Sequence, residues 1–179
     1  GMLGQRVYFQ LRSHGYEFPR DGFGSPGVSL MAMPGERSQV KLKRINIAER
    51  LHRITGQGIY VDSLRLSRDV PIREPLINGL VLGQDSTMAL PYRGKVRWFW
   101  GDTLRLAHPL GHFQTAGATS TLPQDGGLDP AVGIDLTYFI DPGGFSRPMA
   151  PLKEPGLVWI DGLLSVADNL GNEVMLAHF

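Results

Sequence analysis

The sequence predicts an all-β chain of antiparallel strands with one short helix, and three observations carry that expectation. Twenty-three glycines and thirteen prolines in 179 residues punctuate the chain too often for long helices. Short apolar runs recur between turn signals at the cadence of a sandwich, barrel or propeller. The run Trp98-Phe99-Trp100 is too aromatic for a solvated edge and reads as a central strand buried on both faces, ending abruptly at Gly101-Asp102-Thr103.

At the front, Gln5–Leu11, Val28–Met33 and Gln39–Leu42 read as strands around a glycine-rich aromatic loop over residues 15–24. Three strands do not close a core, so residues 1–45 are expected to be part of a β-sandwich whose earlier strands lie outside this sequence, or whose edge leans on the next unit. The opening Gly1-Met2 has the look of an expression scar. Asn46-Ile47-Ala48-Glu49 has the form of a capping box, and Ile47, Leu51 and Ile54 follow at near-helical spacing before Gly56. The short helix is therefore expected over Ile47–Ile54, in a helix-and-linker segment of residues 46–78. Gly58–Leu66 reads as extended, and Pro71 and Pro75 mark a surface connection.

From residue 79 to 179 strand and turn alternate. Val81–Leu90 and Lys95–Trp100 flank Pro91-Tyr92-Arg93-Gly94, a hairpin with a bulged glycine turn. Leu163–Ala167 and Glu173–Phe179 flank Asp168–Asn172, a second hairpin of similar design that hints at a repeat. Gln114–Thr121 and Ile134–Ile140 supply further strands, the latter ending in Asp141-Pro142-Gly143-Gly144.

Net charge is +1, which disfavours nonspecific nucleic-acid binding. Residues 1–80 hold twelve Lys/Arg against seven Asp/Glu, and residues 81–179 hold six against ten, so the chain has a basic front and an acidic back. Surface solubility explains that split as well as two units with different tasks do. Lys41, Lys43, Arg44, Arg50 and Arg53 form a solvated face that an acidic polysaccharide could also use. With no cysteine there is no disulfide framework, thiolate metal site or thiol nucleophile. No apolar run approaches the roughly 20 residues of a membrane-crossing helix, and no membrane partner is expected. The compartment stays open, with an extracellular or periplasmic setting expected.

Several runs resemble a known family: Gly56-Gln57-Gly58-Ile59-Tyr60, Val81-Leu82-Gly83-Gln84-Asp85-Ser86, Trp98-Phe99-Trp100-Gly101-Asp102-Thr103, Gly117-Ala118-Thr119-Ser120 and Gly126-Gly127-Leu128-Asp129-Pro130. Together they are similar to a family of large, uncharacterised bacterial proteins related to the five-bladed β-propeller glycoside hydrolases. The resemblance implies the first blades of a propeller from about Pro71 onward, preceded by the tail of an immunoglobulin-like or transthyretin-like sandwich. It also implies either self-association through open sheet edges or pairing with the remaining blades of a longer protein.

Hydrolysis at an anomeric carbon needs one carboxylate as base or nucleophile and a second, protonated, as acid. The resemblance implies Asp85 as the base and Asp161, in Trp159-Ile160-Asp161-Gly162, as the second carboxylate, with the general acid outside this chain. Glu154 beside a proline and Glu173 in a hairpin do not suit that acid role. Asp85 equally fits a carboxylate that accepts backbone N–H bonds where strands meet, Asp102 fits an Asx-type turn, and Asp161-Gly162 is a common turn dipeptide. Trp98 and Trp100 offer apolar planes for a sugar ring, or simply core. Arg105, His108 and His112 follow Gly-Asp-Thr on an expected loop, where they could bind hydroxyls or a carboxylate, and Trp100, Asp102, Arg105 and His112 make up the candidate substrate-binding set.

His108 and His112 are four apart, but Pro109 and Gly111 preclude the helix that a zinc pair at that spacing needs. Asp125–Asp129 could hold calcium but lacks the alternating ligands of a dedicated loop, and Gly22-Phe23-Gly24 lacks the strand-to-helix context of a nucleotide turn, so no cofactor is expected. The leading expectation is part of a glycoside hydrolase with carbohydrate as partner. The alternatives are a noncatalytic carbohydrate-binding module and a purely structural or assembly domain.

Overall fold

The computed structural model describes residues 4–13, 15–31, 33–46, 54 and 60–179. Their strands pair antiparallel throughout, and a single short α-helix accompanies them among the described residues. The chain divides into two compact units, Gly1–Arg50 and Leu51–Phe179.

In the first unit, β1 (Arg6–Gln10), β2 (Tyr16–Glu17), β3 (Gly27–Met31) and β4 (Lys43–Arg44) make two separate two-stranded sheets, β1 with β3 and β2 with β4. The strand expected at Gln39–Leu42 is displaced to Lys43–Arg44, because its partner is Tyr16-Glu17, inside what the sequence suggested was only a loop. Asp21 closes the β1–β3 connection. Its Oδ1 accepts the N–H groups of Phe23 and Ser25, both at 2.9 Å, and these bonds, that from Ser25 foremost, hold its carboxyl below the ordinary range.

The expected helix at Ile47–Ile54 falls almost wholly outside the described residues. The helix that is described, α1 (Val61–Arg65), lies within the run read as extended. Five residues cannot nucleate a helix alone, so tertiary anchors decide. Tyr60, immediately before it, donates its hydroxyl to the Val132 carbonyl at 2.6 Å, and Val61 and Leu64 are half-buried at helical spacing. The stretch expected to be a linker is likewise tied into the second unit. Arg73 donates N and Nε to the Asp135 carboxylate at 2.8 and 3.2 Å, and Asn78 Nδ2 donates to the Leu136 carbonyl.

The single strand expected over Val81–Leu90 is two strands in two sheets: β5 (Val81–Gln84) and β6 (Met88–Tyr92), separated at Asp85–Thr87, where Ser86 takes a φ of 50°. The strand β7 (Lys95–Trp100) follows β6 through Arg93-Gly94. Both of these residues have positive φ, 48° and 71°, and Tyr92 pairs with Lys95. The hairpin is therefore a two-residue turn whose twist matches its strands, not the bulged glycine turn expected.

Next come β8 (Thr103–Arg105), β9 (His108–His112), β10 (Ala116–Thr121) and β11 (Thr137–Tyr138). One sheet runs β11-β10-β7-β6 and a second runs β5-β8-β9, so Trp98-Phe99-Trp100 does occupy a central strand. Its neighbour explains how bulky rings fit there. Ala116, Gly117 and Ala118 of β10 pair with Trp100, Phe99 and Trp98, setting small residues against large ones across the ladder. Trp100, Val81, Ala118, Leu136 and Tyr138 form the buried core. Burial pushes the Tyr138 phenol well above its ordinary pKa. That hydroxyl donates to Gln84 Oε1 at 2.9 Å, and Gln84 Nε2 donates to Thr103 Oγ1 at 2.9 Å, so a polar chain links the two sheets.

The last hairpin, β12 (Asp161–Ala167) with β13 (Glu173–His178), stands where expected. Glu173 fastens its turn end to the β6–β7 turn: Oε2 accepts the Arg93 N–H at 2.8 Å, and its carbonyl accepts the Tyr92 hydroxyl at 3.2 Å.

Candidate functional site

At the end of β7, Gly101 and Asp102 turn the chain toward β8, and Asp85 meets them from the end of β5. The Gly101 N–H donates to the Asp85 carbonyl at 3.0 Å, and the Asp102 N–H donates to Asp85 Oδ1 at 3.1 Å. A Cβ on Gly101 would lie 2.6 Å from that oxygen, so any larger residue there displaces the Asp85 carboxylate from this seat. Asp85 is exposed, and its Oδ2 has no hydrogen-bond partner among the described residues. One oxygen thus serves the backbone, in keeping with the turn-capping reading, and the other faces no such demand.

Asp102 is half-buried, and its Oδ1 accepts the indole N–H of Trp159 at 2.8 Å. Trp159 is placed by Thr115, which is 1% exposed. The Thr115 N–H donates to the Val158 carbonyl at 2.8 Å, and its Oγ1 accepts the Ile160 N–H at 3.0 Å. Anchoring residues 158 and 160 this way turns the intervening indole outward: Val158 is 4% exposed and Trp159 is 47% exposed. Asp161 continues the exposed alternation two residues later, and its Oδ1 accepts the N–H of its own neighbour Gly162 at 2.7 Å.

The structure therefore brings Asp85 and Asp102 into direct contact, joins Asp102 to Trp159, and sets Asp161 on the same exposed row as Trp159. The other three predicted residues are placed differently. Trp100 is wholly buried against Tyr138, ring centroids 5.5 Å apart, and has no free face to offer a sugar. Arg105 and His112 are not on a loop, because Leu106-Ala107 turns β8 back into β9 and both residues belong to those strands. They grip buried Phe145: the Arg105 guanidinium sits 5.3 Å from the ring centroid, and the His112 ring meets it edge-on at 5.4 Å. His112 Nε2 lies 3.0 Å from the Ser146 carbonyl, so the neutral ring carries its proton on Nε2. Burial lowers the His112 pKa, against the opposing pull of that carbonyl and of the Asp102 and Asp141 charges.

Trp159 is the residue that sequence reasoning missed as a platform. Trp98 and Trp100 stand inside an apolar strand, whereas Trp159, between Pro155-Gly156 and Asp161-Gly162, is flanked by turn signals on both sides and so has less strand to bury it. Among the described residues no three His, Asp or Glu side chains group as a metal site. Asp129 Oδ1 instead accepts the Ala131 N–H at 2.7 Å.

An antiparallel all-β fold with an exposed indole hydrogen-bonded to a carboxylate at a sheet end describes the chain's class. Against family models, curated proteins and solved structures, the chain has no match.

Proposed function

We propose that this chain is a carbohydrate-binding module that does not itself cleave its ligand, with the surface around Trp159, Asp102 and Asp85 as its site. The observation that carries this reading is the Trp159 indole, nearly half exposed yet held by Asp102. A fixed, exposed aromatic plane packs against the apolar face of a sugar ring at little entropic cost. The neighbouring Asp85 Oδ2 and the Asp161 carboxylate accept hydrogen bonds from sugar hydroxyls.

Hydrolysis within a larger carbohydrate-active protein is the second reading. What favours it is that Asp85 and Asp161 are both exposed, Asp85 bonded to the Asp102 that holds Trp159 and Asp161 two residues beyond that indole. Affinity electrophoresis in gels containing soluble polysaccharides, run beside a reducing-sugar assay, separates the two. Binding that Trp159→Ala weakens about tenfold or more, with no sugar released, supports the module. Sugar release that Asp85→Asn abolishes supports the enzyme.

A further inference from the structure

Trp98 shares a strand with Trp100 but not its fate. Stacked beside it at 6.2 Å between centroids, Trp98 stays partly exposed and forms one wall of a cavity of about 440 Å³ in the second unit. Val96, Leu128 and Ile134 add apolar walls. Inside, the Trp98 indole N–H donates to Ser120 Oγ at 2.9 Å, so the indole's own polar group is satisfied and its ring presents apolar surface. Arg73 and Asp135 also line the cavity, joined by two hydrogen bonds.

We propose that this cavity is a ligand site separate from the Trp159 surface, and that it takes a small neutral aromatic molecule carrying one amide-like polar group. The size is that of an ordinary small-molecule pocket, apolar walls with a few placed polar groups. The ion pair defines the polar end. Arg73 uses N and Nε on Asp135, and its two terminal nitrogens have no partner among the described residues, while the Asp135 oxygens each retain a lone pair. Together they present donors beside acceptors with no net charge, which suits a group that both accepts and donates. An ion pair already neutral has no net charge to offset the desolvation of a charged ligand, so a charge of either sign is penalised.

The test uses the full chain and three probes of one shape: 2-naphthamide, 2-naphthoate and 2-naphthylmethylammonium. NMR follows the indole N–H signals, with Trp98 assigned by its loss in Trp98→Phe. The expected result is that the amide moves the Trp98 signal and binds several-fold more tightly than either ion. Leu128→Trp, which fills the cavity from its outer loop, then weakens the amide by about tenfold or more, with circular dichroism unchanged. Should that variant fail to fold, Arg73→Gln at the exposed mouth serves instead and weakens the amide several-fold. Trp159→Ala leaves amide binding unaltered. An ion binding as well as the amide, no movement of the Trp98 signal, or a folded variant at Leu128 or Arg73 binding like the parent overturns the proposal.

Discussion

The two units of this protein are both built from antiparallel strands and tight turns, yet they hold themselves together in different ways. In the second, Val81, Trp100, Ala118, Leu136 and Tyr138 close a core in which Trp100 has no exposure at all. In the first, no described residue is buried, and Tyr8, Phe9 and Tyr16 keep 45%, 41% and 44% of their surface exposed. Pairing and local turn bonds order the first unit; packing orders the second. Strand pairing alone supplies geometry, whereas a chemical site that must hold an indole and two carboxylates in place needs a packed layer beneath it.

The sharpest break of that contrast is truncation of an aromatic residue in each. Trp100→Ala empties the centre of the core and is expected to cost about 3–5 kcal/mol, visible as a large fall in the denaturant midpoint of the second unit. Phe9→Ala in the first unit, already exposed to water, is expected to shift the midpoint far less. Equal losses would mean that the first unit has a core of its own.

A smaller effect probes the seat of the candidate site. Gly101→Ala drives a methyl against Asp85 Oδ1 and is expected to cost about 1–3 kcal/mol. If the clash with that oxygen is the cause, Asp85→Ala in the same chain recovers part of the loss, and the double variant is less unstable than the sum of the singles. Simple additivity would place the strain elsewhere.

The smallest expected effect is pH-dependent. His112 titrates below its ordinary value in the fold because burial disfavours the imidazolium. The unfolded chain therefore takes up that proton first as pH falls, and the contribution present above the ordinary value of about 6.5 is lost as pH drops through the lowered folded value. Thermal melts between pH 7.5 and 5 are expected to show a modest decline that His112→Gln removes. Asp21 and Asp168, held below the ordinary carboxylate range, act in a separate and more acidic window: their contribution persists above about 3.9 and disappears below it.

Much of the second unit was readable from residues alone, because its signals are local. The aromatic run of β7 faces a run of small residues in β10, and Asp168 with Gly171 builds the last hairpin turn. One spacing recurs: Asp21, Asp141 and Asp168 each accept, on Oδ1, the N–H groups two and four residues later. Each has a glycine with φ near 80° at the third position. This shared turn, rather than a likeness between the Arg93-Gly94 and Asp168–Asn172 hairpins, is what repeats in the chain. The misplaced features depend on distant partners. The helix at Val61–Arg65 is anchored through Tyr60 to Val132, and the strand at Lys43–Arg44 exists only because Tyr16-Glu17 lies beside it. In the candidate site, Asp85 and Asp102 were legible as turn-forming carboxylates at strand ends. Trp159 was not, because its exposure is set by Thr115, more than forty residues earlier.

The most direct measurement is an NMR titration of the intact chain with cellotetraose, xylotetraose and mannotetraose, following the three tryptophan indole N–H signals. A carbohydrate site at the sheet end moves the Trp159 signal, leaves the Trp100 and Trp98 signals in place, and loses its response in Asp102→Ala, which removes the acceptor holding the indole. A Trp159 signal indifferent to every sugar, or a response carried by Trp98 alone, would contradict the assignment of this surface.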